Sequence, residues 1–376
     1  MKIVTLFPLL ALAGASSIGF PPPARAGDVP DPSLCFDSAL PFPPSPFQPD
    51  LTPGYVLIEG DIQIPVQHYN NLINGEPQAE ATFGSARYWS ANTVPYDFVT
   101  SGSGAVSSAN QTAAINAMSA IATRAGVTFR AATALDLNRI RFQQSSFNNS
   151  PVGVRGGAQI INISSWGNSI IICHEIYHSL GFWHEQSRAD RETYITINSS
   201  SICGTASSGP CAPSSCQGCQ DSSGTFISCL FNFNIEAGTS TYGPYDFDSF
   251  MHYGRNDFSC NQADTILVKE PWRAQWQGAI GQRTHFSYFD SITGRAIYPF
   301  PDDRWLDRAF LDDMNSGAFE TPYNDSRLAD ALENVPSGGT LFIKYANSYN
   351  AVGTFSKPVT IMAPNGGVIL GTITIP

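Results

Sequence analysis

Residues 173–191 read CHEIYHSLGFWHEQSRADR, and three of the chain's six histidines fall in the eleven positions from His174 to His184. His174 and His178 are four apart, so on a helix both imidazoles project from one face, one turn apart. Glu175 lies between them and points toward the same place from the side. Gly181 follows His178 by three residues, where a helix can end in the left-handed turn that glycine adopts at little cost. The chain then reverses, and His184 can return to the first two. Three neutral imidazoles make a three-ligand zinc site with the fourth position left to water, as catalysis requires. Glu175 is placed to take a proton from that water.

H-E-x-x-H alone also describes two buried histidines of an ordinary core helix. The longer H-E-x-x-H-x-x-G-x-x-H fixes three more positions and demands a later methionine turn, which DFDSFMHYG supplies at Met251. Upstream, QTAAINAMSAIATRAG places Ala114, Ile115, Met118, Ile121 and Ala122 at helical spacing. YWSANTVPYDFV reads as a strand start, and VTFRA, RIRFQQ and GGAQIINIS read as strands. The zinc helix therefore follows a set of strands, in an α+β protein.

These motifs resemble the astacin family of zinc metalloendopeptidases, within the metzincins. The resemblance rests on HEIYHSLGFWHEQSRADR, with Glu185 after the third histidine, and on SFMHYG, where Tyr253 follows the methionine by two. It extends to the closing segment Ile280 to Tyr298 and to YWSANTVPYDF, and covers about residues 55 to 300. It implies a two-lobed protease domain with a deep active-site cleft and one catalytic Zn2+. By the same resemblance His174, His178 and His184 bind the metal, and Glu175 is the general base. Tyr253 is then an additional ligand at rest that swings to stabilise the tetrahedral intermediate, over an apolar floor at Met251.

YVLIEGDIQIP resembles the family's inhibitory segment, in which a Gly-Asp pair, here Gly60-Asp61, puts the aspartate on the zinc. It departs from the usual form at Leu57 or Ile58, where an aromatic is common. A carboxylate in the water position removes the nucleophile. Cys35, which could bind as a thiolate, is the competing ligand. In the family the mature amino terminus, here near Glu80 or Ala81, is buried against the glutamate corresponding to Glu185. Arg188 is the alternative partner for that glutamate.

The rest of the chain frames this enzyme. Lys2 and the apolar run IVTLFPLLALAGASSIGF end at Ala24-Arg25-Ala26, the small-x-small form that signal peptidases cut. No later stretch is apolar enough to span a bilayer. The expected organisation is a signal peptide at 1–26, an inhibitory propeptide at 27–80, a catalytic domain at 81–300 and a β-rich segment at 301–376. The product is expected to be secreted and extracellular, free of the membrane once the signal is removed. A net charge of −11 argues against a nucleic-acid partner. Protein or peptide substrates are expected.

The cysteines depart from the family. None lies between residues 82 and 172 or after Cys260, so its usual two bridges cannot form in place. An insertion instead carries Cys203, Cys211, Cys216, Cys219 and Cys229, which with Cys260 allow 15 pairings. Export makes such disulfides permissible. Cys173 is left over as a buried thiol. Residues 301–376 lie outside the resemblance and alternate short β-rich pieces with Gly and Pro turns, like the first coils of a parallel β-helix. That segment could bind a surface or a carbohydrate, though no residue argues for either. Two other readings stay open, a zinc-bearing adhesion or scaffold protein without activity and a carbohydrate-active protein.

Overall fold

The computed structural model describes residues 55–58, 60–65, 88–202, 229–236, 239–308, 310, 316–324, 327–345, 348–349, 353–354, 356–366, 368–369 and 373–374. The expected leader, Cys35, the stretch around the expected activation point and most of the cysteine-rich insertion lie outside the described residues. Contacts divide the chain into a unit spanning residues 32–298 and a second unit holding residues 299–376.

In the larger unit, β1 (Tyr55–Ile58) and β2 (Ile62–Pro65) pair antiparallel, with Ile58 opposite Ile62. This register puts Gly60 and Asp61 at the tip of a tight hairpin. Gly60 sits at φ 77, and a Cβ there would come within 2.7 Å of the Phe258 ring. Both the backbone and the space thus require glycine. Leu57, Ile58, Ile62 and Ile64 are buried.

Next come β3 (Thr93–Phe98), α1 (Ser108–Ala122), β4 (Thr128–Ala131), β5 (Arg139–Gln144), β6 (Ser150–Pro151), β7 (Ala158–Ile163) and α2 (Ser169–Leu180). Four of the strands form a parallel sheet in the order β4-β3-β5-β7. Helix α1 starts where the Ser107 hydroxyl accepts from the Asn110 amide. It buries Ala114, Ala117, Met118 and Ile121. Ile115, expected on that face, is 42% exposed, and Ala122 is only half-buried. Ile115 is one helical step of 100° round from Ala114, so the stripe passes through Ala117 instead.

The strand formed by GGAQIINIS, β7, is the terminal strand of this sheet. β7 pairs with β5 along its length, and the Asn149–Asn162 bridge lies on its far side. β6 follows that bridge in the chain, and β2 lies parallel to it, with Ile62 opposite Ser150. A β-branched run announces a strand, but its composition does not say how many neighbours that strand has.

The remaining elements are β8 (Ile195–Ile197), β9 (Ile266–Val268), the single turn α3 (Arg273–Trp276) and α4 (Tyr288–Ile297). Two hydrophobic clusters result. One joins the parallel sheet to α1, α2, Phe250, Met251 and Tyr298. The other gathers Ile195, Phe233, Tyr245, Tyr253, Ile266 and their neighbours. Cys229 and Cys260 belong to this second cluster, and both are disulfide-bonded.

In the smaller unit, β10 (Asp303–Leu306), α5 (Leu328–Asn334), β11 (Thr340–Ile343), β12 (Ser348–Tyr349), β13 (Gly353–Thr354), β14 (Thr360–Met362), β15 (Val368–Ile369) and β16 (Ile373–Thr374) follow one another. β11 pairs with β14, β12 with β15 and β13 with β16, all parallel and all between residues twenty apart. Trp305 of β10 stacks on its β11 register partner Phe342, with ring centroids 4.3 Å apart. Among the described residues no helix is long and apolar enough to cross a membrane.

Candidate metal centre and active site

Helix α2 carries the first two histidines. Asn168 caps it by accepting from the amides of Ile170 and Ile171, and Gly181 ends it at φ 108. The left-handed φ reserves this turn for glycine, and a Cβ there would also crowd the Tyr88 ring at 3.0 Å. Trp89 Nε1 donates to the Ser179 carbonyl at 2.8 Å, and the Tyr298 hydroxyl donates to the Leu180 carbonyl at 2.7 Å. Two carbonyls at the helix end, which have no partner within the helix, are thereby satisfied. The chain then turns back and delivers His184.

All three histidines are buried. His174 Nδ1 donates to the Phe250 carbonyl at 2.9 Å, and His178 Nδ1 donates to the Phe182 carbonyl at 2.8 Å. A carbonyl only accepts, so these bonds put the ring proton on Nδ1 and leave Nε2 as a lone pair. His178 Nε2 stands 3.1 Å from His174 Nε2, and His184 Nε2 stands 3.3 Å from the same atom. Lone pairs converging at this range repel unless a cation lies among them. Tetrahedral zinc with bonds of about 2.0–2.1 Å separates its nitrogen ligands by about 3.3–3.4 Å, so the donor set fits this metal. Burial lowers the pKa of His174 to about 4 and pushes His178 well below its ordinary range, which keeps these two imidazoles neutral.

Asp61 completes the group. Its Oδ2 lies 3.1 Å from His174 Nε2, and its Oδ1 lies 3.2 Å from His184 Nε2 and 3.7 Å from His178 Nε2. The four side chains could hold one metal ion, with their ligand atoms all within 4.8 Å of one another. Burial opposes the charge on Asp61, but the neighbouring His184 and His174 outweigh it and hold the carboxyl well below its usual range. Glu175 is 1% exposed, and its Oε2 has no partner among the described residues. Burial, reinforced by the Asp61 charge, pushes the Glu175 carboxyl well above the ordinary carboxylate range.

The methionine turn closes the site from below. The Met251 carbonyl accepts from the Glu185 amide at 3.1 Å, and the Tyr253 amide donates to Gln186 Oε1 at 3.0 Å. The Tyr253 ring lies 4.7 Å from the His184 ring, centroid to centroid, so this buried tyrosine borders the metal position. A Cβ on Gly281, at φ 85, would stand 2.3 Å from the Gly254 Cα, so the exit from the turn also depends on a bare backbone.

Two further side chains anchor the turn, and neither stood out in the sequence. Asp290, from the first turn of α4, accepts from Ser249 Oγ at 2.6 Å and from the Phe250 amide at 3.2 Å. It also forms a capping box with Ser287, and Ser-x-x-Asp was the signal that could have found it. Gln186 had no such signal, because its role exists only once the two segments meet.

Glu185 pairs with Arg188 Nη1 at 3.0 Å and accepts from the Asp246 amide at 2.8 Å, so in the intact chain the alternative partner holds it. A small cavity lies beside it, lined by Tyr242, Asp246, Met251 and Asp290 among others. Cys173, as expected, is a free buried thiol whose pKa burial pushes up to about 12.

The profile of the astacin family of peptidases matches residues 81–208 and 229–299, over half of the chain. Zinc metalloproteinase nas-30 of Caenorhabditis elegans is 36% identical over 150 residues, 40% of this chain and 17% of that protein. Astacin-like metalloendopeptidase of Mus musculus is 33% identical over 192 residues, 49% of this chain and 37% of that protein. The match thus spans well under half the length of either relative. Among solved structures, high choriolytic enzyme 1, a hatching enzyme zinc-protease from Oryzias latipes, aligns at 28% identity with a TM-score of 0.46, covering 58% of this chain and 97% of that one.

Proposed function

Because the chain belongs to the astacin family of zinc peptidases, we propose that it is a secreted zinc-dependent endopeptidase that hydrolyses peptide bonds in proteins and is made as a latent precursor. The observation that carries this reading is the convergence of three imidazole Nε2 atoms beside the buried, unpartnered Glu175 Oε2. Zinc held by His174, His178 and His184 would polarise the scissile carbonyl and lower the pKa of a water. Glu175 takes the proton of the attacking water and passes it to the leaving amine. Tyr253, a further ligand at rest, donates its hydroxyl to the oxygen on which negative charge develops. The Phe250 and Phe182 carbonyls keep the imidazoles turned toward the metal.

The two hydrophobic clusters of the larger unit support two lobes facing across a cleft. β6 then offers the edge to which a substrate strand adds. In the precursor the hairpin of β1 and β2 holds that edge and Asp61 holds the metal's open position. The proposed organisation is a signal peptide at 1–26, a propeptide at 27–80, the catalytic domain at 81–300 and the β-rich segment at 301–376. The start of the family match at residue 81 supports the second boundary. The new terminus would reach the cavity beside Glu185 and compete with Arg188. The constant twenty-residue register of residues 340–374 supports turns of a parallel β-helix, proposed to meet a surface or a carbohydrate outside catalysis.

Casein hydrolysis tests the main reading. The activated chain should cleave casein, lose activity to a chelator, and regain it when one equivalent of zinc is restored. A chain that binds zinc and leaves casein intact would be a scaffold instead. Tyr253→Phe should lower turnover by about 10²-fold with zinc content unchanged, as for loss of one oxyanion donor. Metal analysis of the purified variant checks this, since lost zinc would make Tyr253 a structural ligand.

A further inference from the structure

Gln63 is fully buried although glutamine is usually exposed. It lies two residues past Asp61, roughly 6–7 Å along an extended chain. Its Nε2 donates to Asn149 Oδ1 at 2.5 Å. The same Oδ1 accepts from Asn162 Nδ2 at 2.9 Å, and Asn162 Oδ1 accepts from Gln143 Nε2 at 3.3 Å. Asn149 and Asn162 are themselves 0% exposed. This carboxamide row lies beside the edge strand β6, immediately after Asn149 in the chain.

One feature of the row is unfinished. Asn149 Nδ2 is buried and has no partner among the described residues. A buried donor without an acceptor is costly, and native structures carry few of them. Among the described residues, Gln63 thus engages only the Oδ1 half of the Asn149 amide. Gln63 shows one half of what a carboxamide can do here, donating to Oδ1; a ligand carboxamide turned to face the whole Asn149 amide would also accept from Nδ2. A carboxylate would accept from Nδ2 but face the Oδ1 lone pairs. An apolar side chain would leave both atoms unsatisfied.

We propose that Asn149, held by Asn162, is the floor of a substrate subsite that selects a primary amide side chain, glutamine foremost, near the scissile bond. The inference rests on the peptidase reading above and deepens it by naming the substrate class. Gln63 occupies the subsite in the precursor, two residues from the carboxylate at the metal. A substrate strand on the same edge presents its corresponding side chain within two or three positions of the bond that is cut.

The test is competitive cleavage by the activated, zinc-loaded chain. Peptides differ only by Gln, Glu, Met or Leu at each position flanking one scissile bond. At one position kcat/KM for Gln should exceed that for Glu, Met and Leu by about tenfold or more, since a site built to hydrogen-bond rejects analogues that cannot. Asn149→Leu should erase the difference, and Asn149→Asp, nearly the same shape, should reduce the Gln preference while still rejecting Glu. Equal rates for Gln and Met at every position would overturn the proposal, as would a Gln preference that survives in Asn149→Leu. If no peptide is cut at all, the peptidase reading fails. The amide contact is then judged on the intact zinc-loaded chain by the melting temperatures of Gln63→Met, Asn149→Leu and the double variant. Strong non-additivity supports amide recognition, and additive shifts sink it.

Discussion

Glu175→Gln in the activated chain is expected to cut casein about 10⁴-fold more slowly than wild type while holding one zinc and melting at nearly the same temperature. Glutamine has the shape of glutamate, so the packing around a side chain that is 1% exposed stays in place. Oε2 makes no hydrogen bond among the described residues, so the amide replaces an unpartnered oxygen and breaks no contact there. Only the ability to take a proton is removed. General-base catalysis is worth about 10²–10⁴-fold, and the upper end is expected because the same group also serves the leaving amine. Metal analysis, thermal melting and initial rates on one preparation check the three parts together. Near wild-type rates in a zinc-replete variant would show that another group is the base.

Asp61→Ala acts in the opposite direction. The full-length, uncut chain should gain activity by about 30-fold to 10³-fold over the wild-type precursor, following the usual cost of truncating one side of a buried charged contact. Among the described residues of the hairpin, the Asp61 carboxylate is the group that stands within 3.7 Å of the histidine Nε2 atoms. The buried isoleucines and the Gln63 amide remain, so the hairpin should stay docked more weakly. Early initial rates on a short peptide, with a gel showing the chain still intact, separate this gain from faster self-cleavage. A latent Asp61→Ala chain beside an active Cys35→Ser chain would transfer the inhibitory contact to Cys35.

The local part of the site was readable because its geometry is fixed by the helical repeat. A spacing of four puts His174 and His178 on one face, and the glycine turn returns His184. Gly60-Asp61 stood out only through its resemblance to the family's inhibitory segment, and no local periodicity marked it. What stayed hidden depends on segments that meet only in the fold. The second neighbours of β7, the Gln186 contact to the methionine turn and the Asp290 anchor each join residues 13 to 67 positions apart. The burial of Ala117 in place of Ile115 shows a subtler limit. Hydrophobicity marks which residues can face the core, and the rotation of the helix decides which ones do.

Trp89 and Tyr298, near the two ends of the family match, both bond to the last turn of the zinc helix. Tyr298 also accepts from the Gly126 amide through its carbonyl at 2.6 Å. This clasp needs no cysteine and therefore no oxidant. It can close while the chain is still in a reducing environment, before any sulfur is paired. Reduction of the disulfides at Cys229 and Cys260 should accordingly leave the grip on the metal-bearing helix in place, and the order in which the two parts come undone separates the redox-sensitive layer of the molecule from the redox-indifferent one.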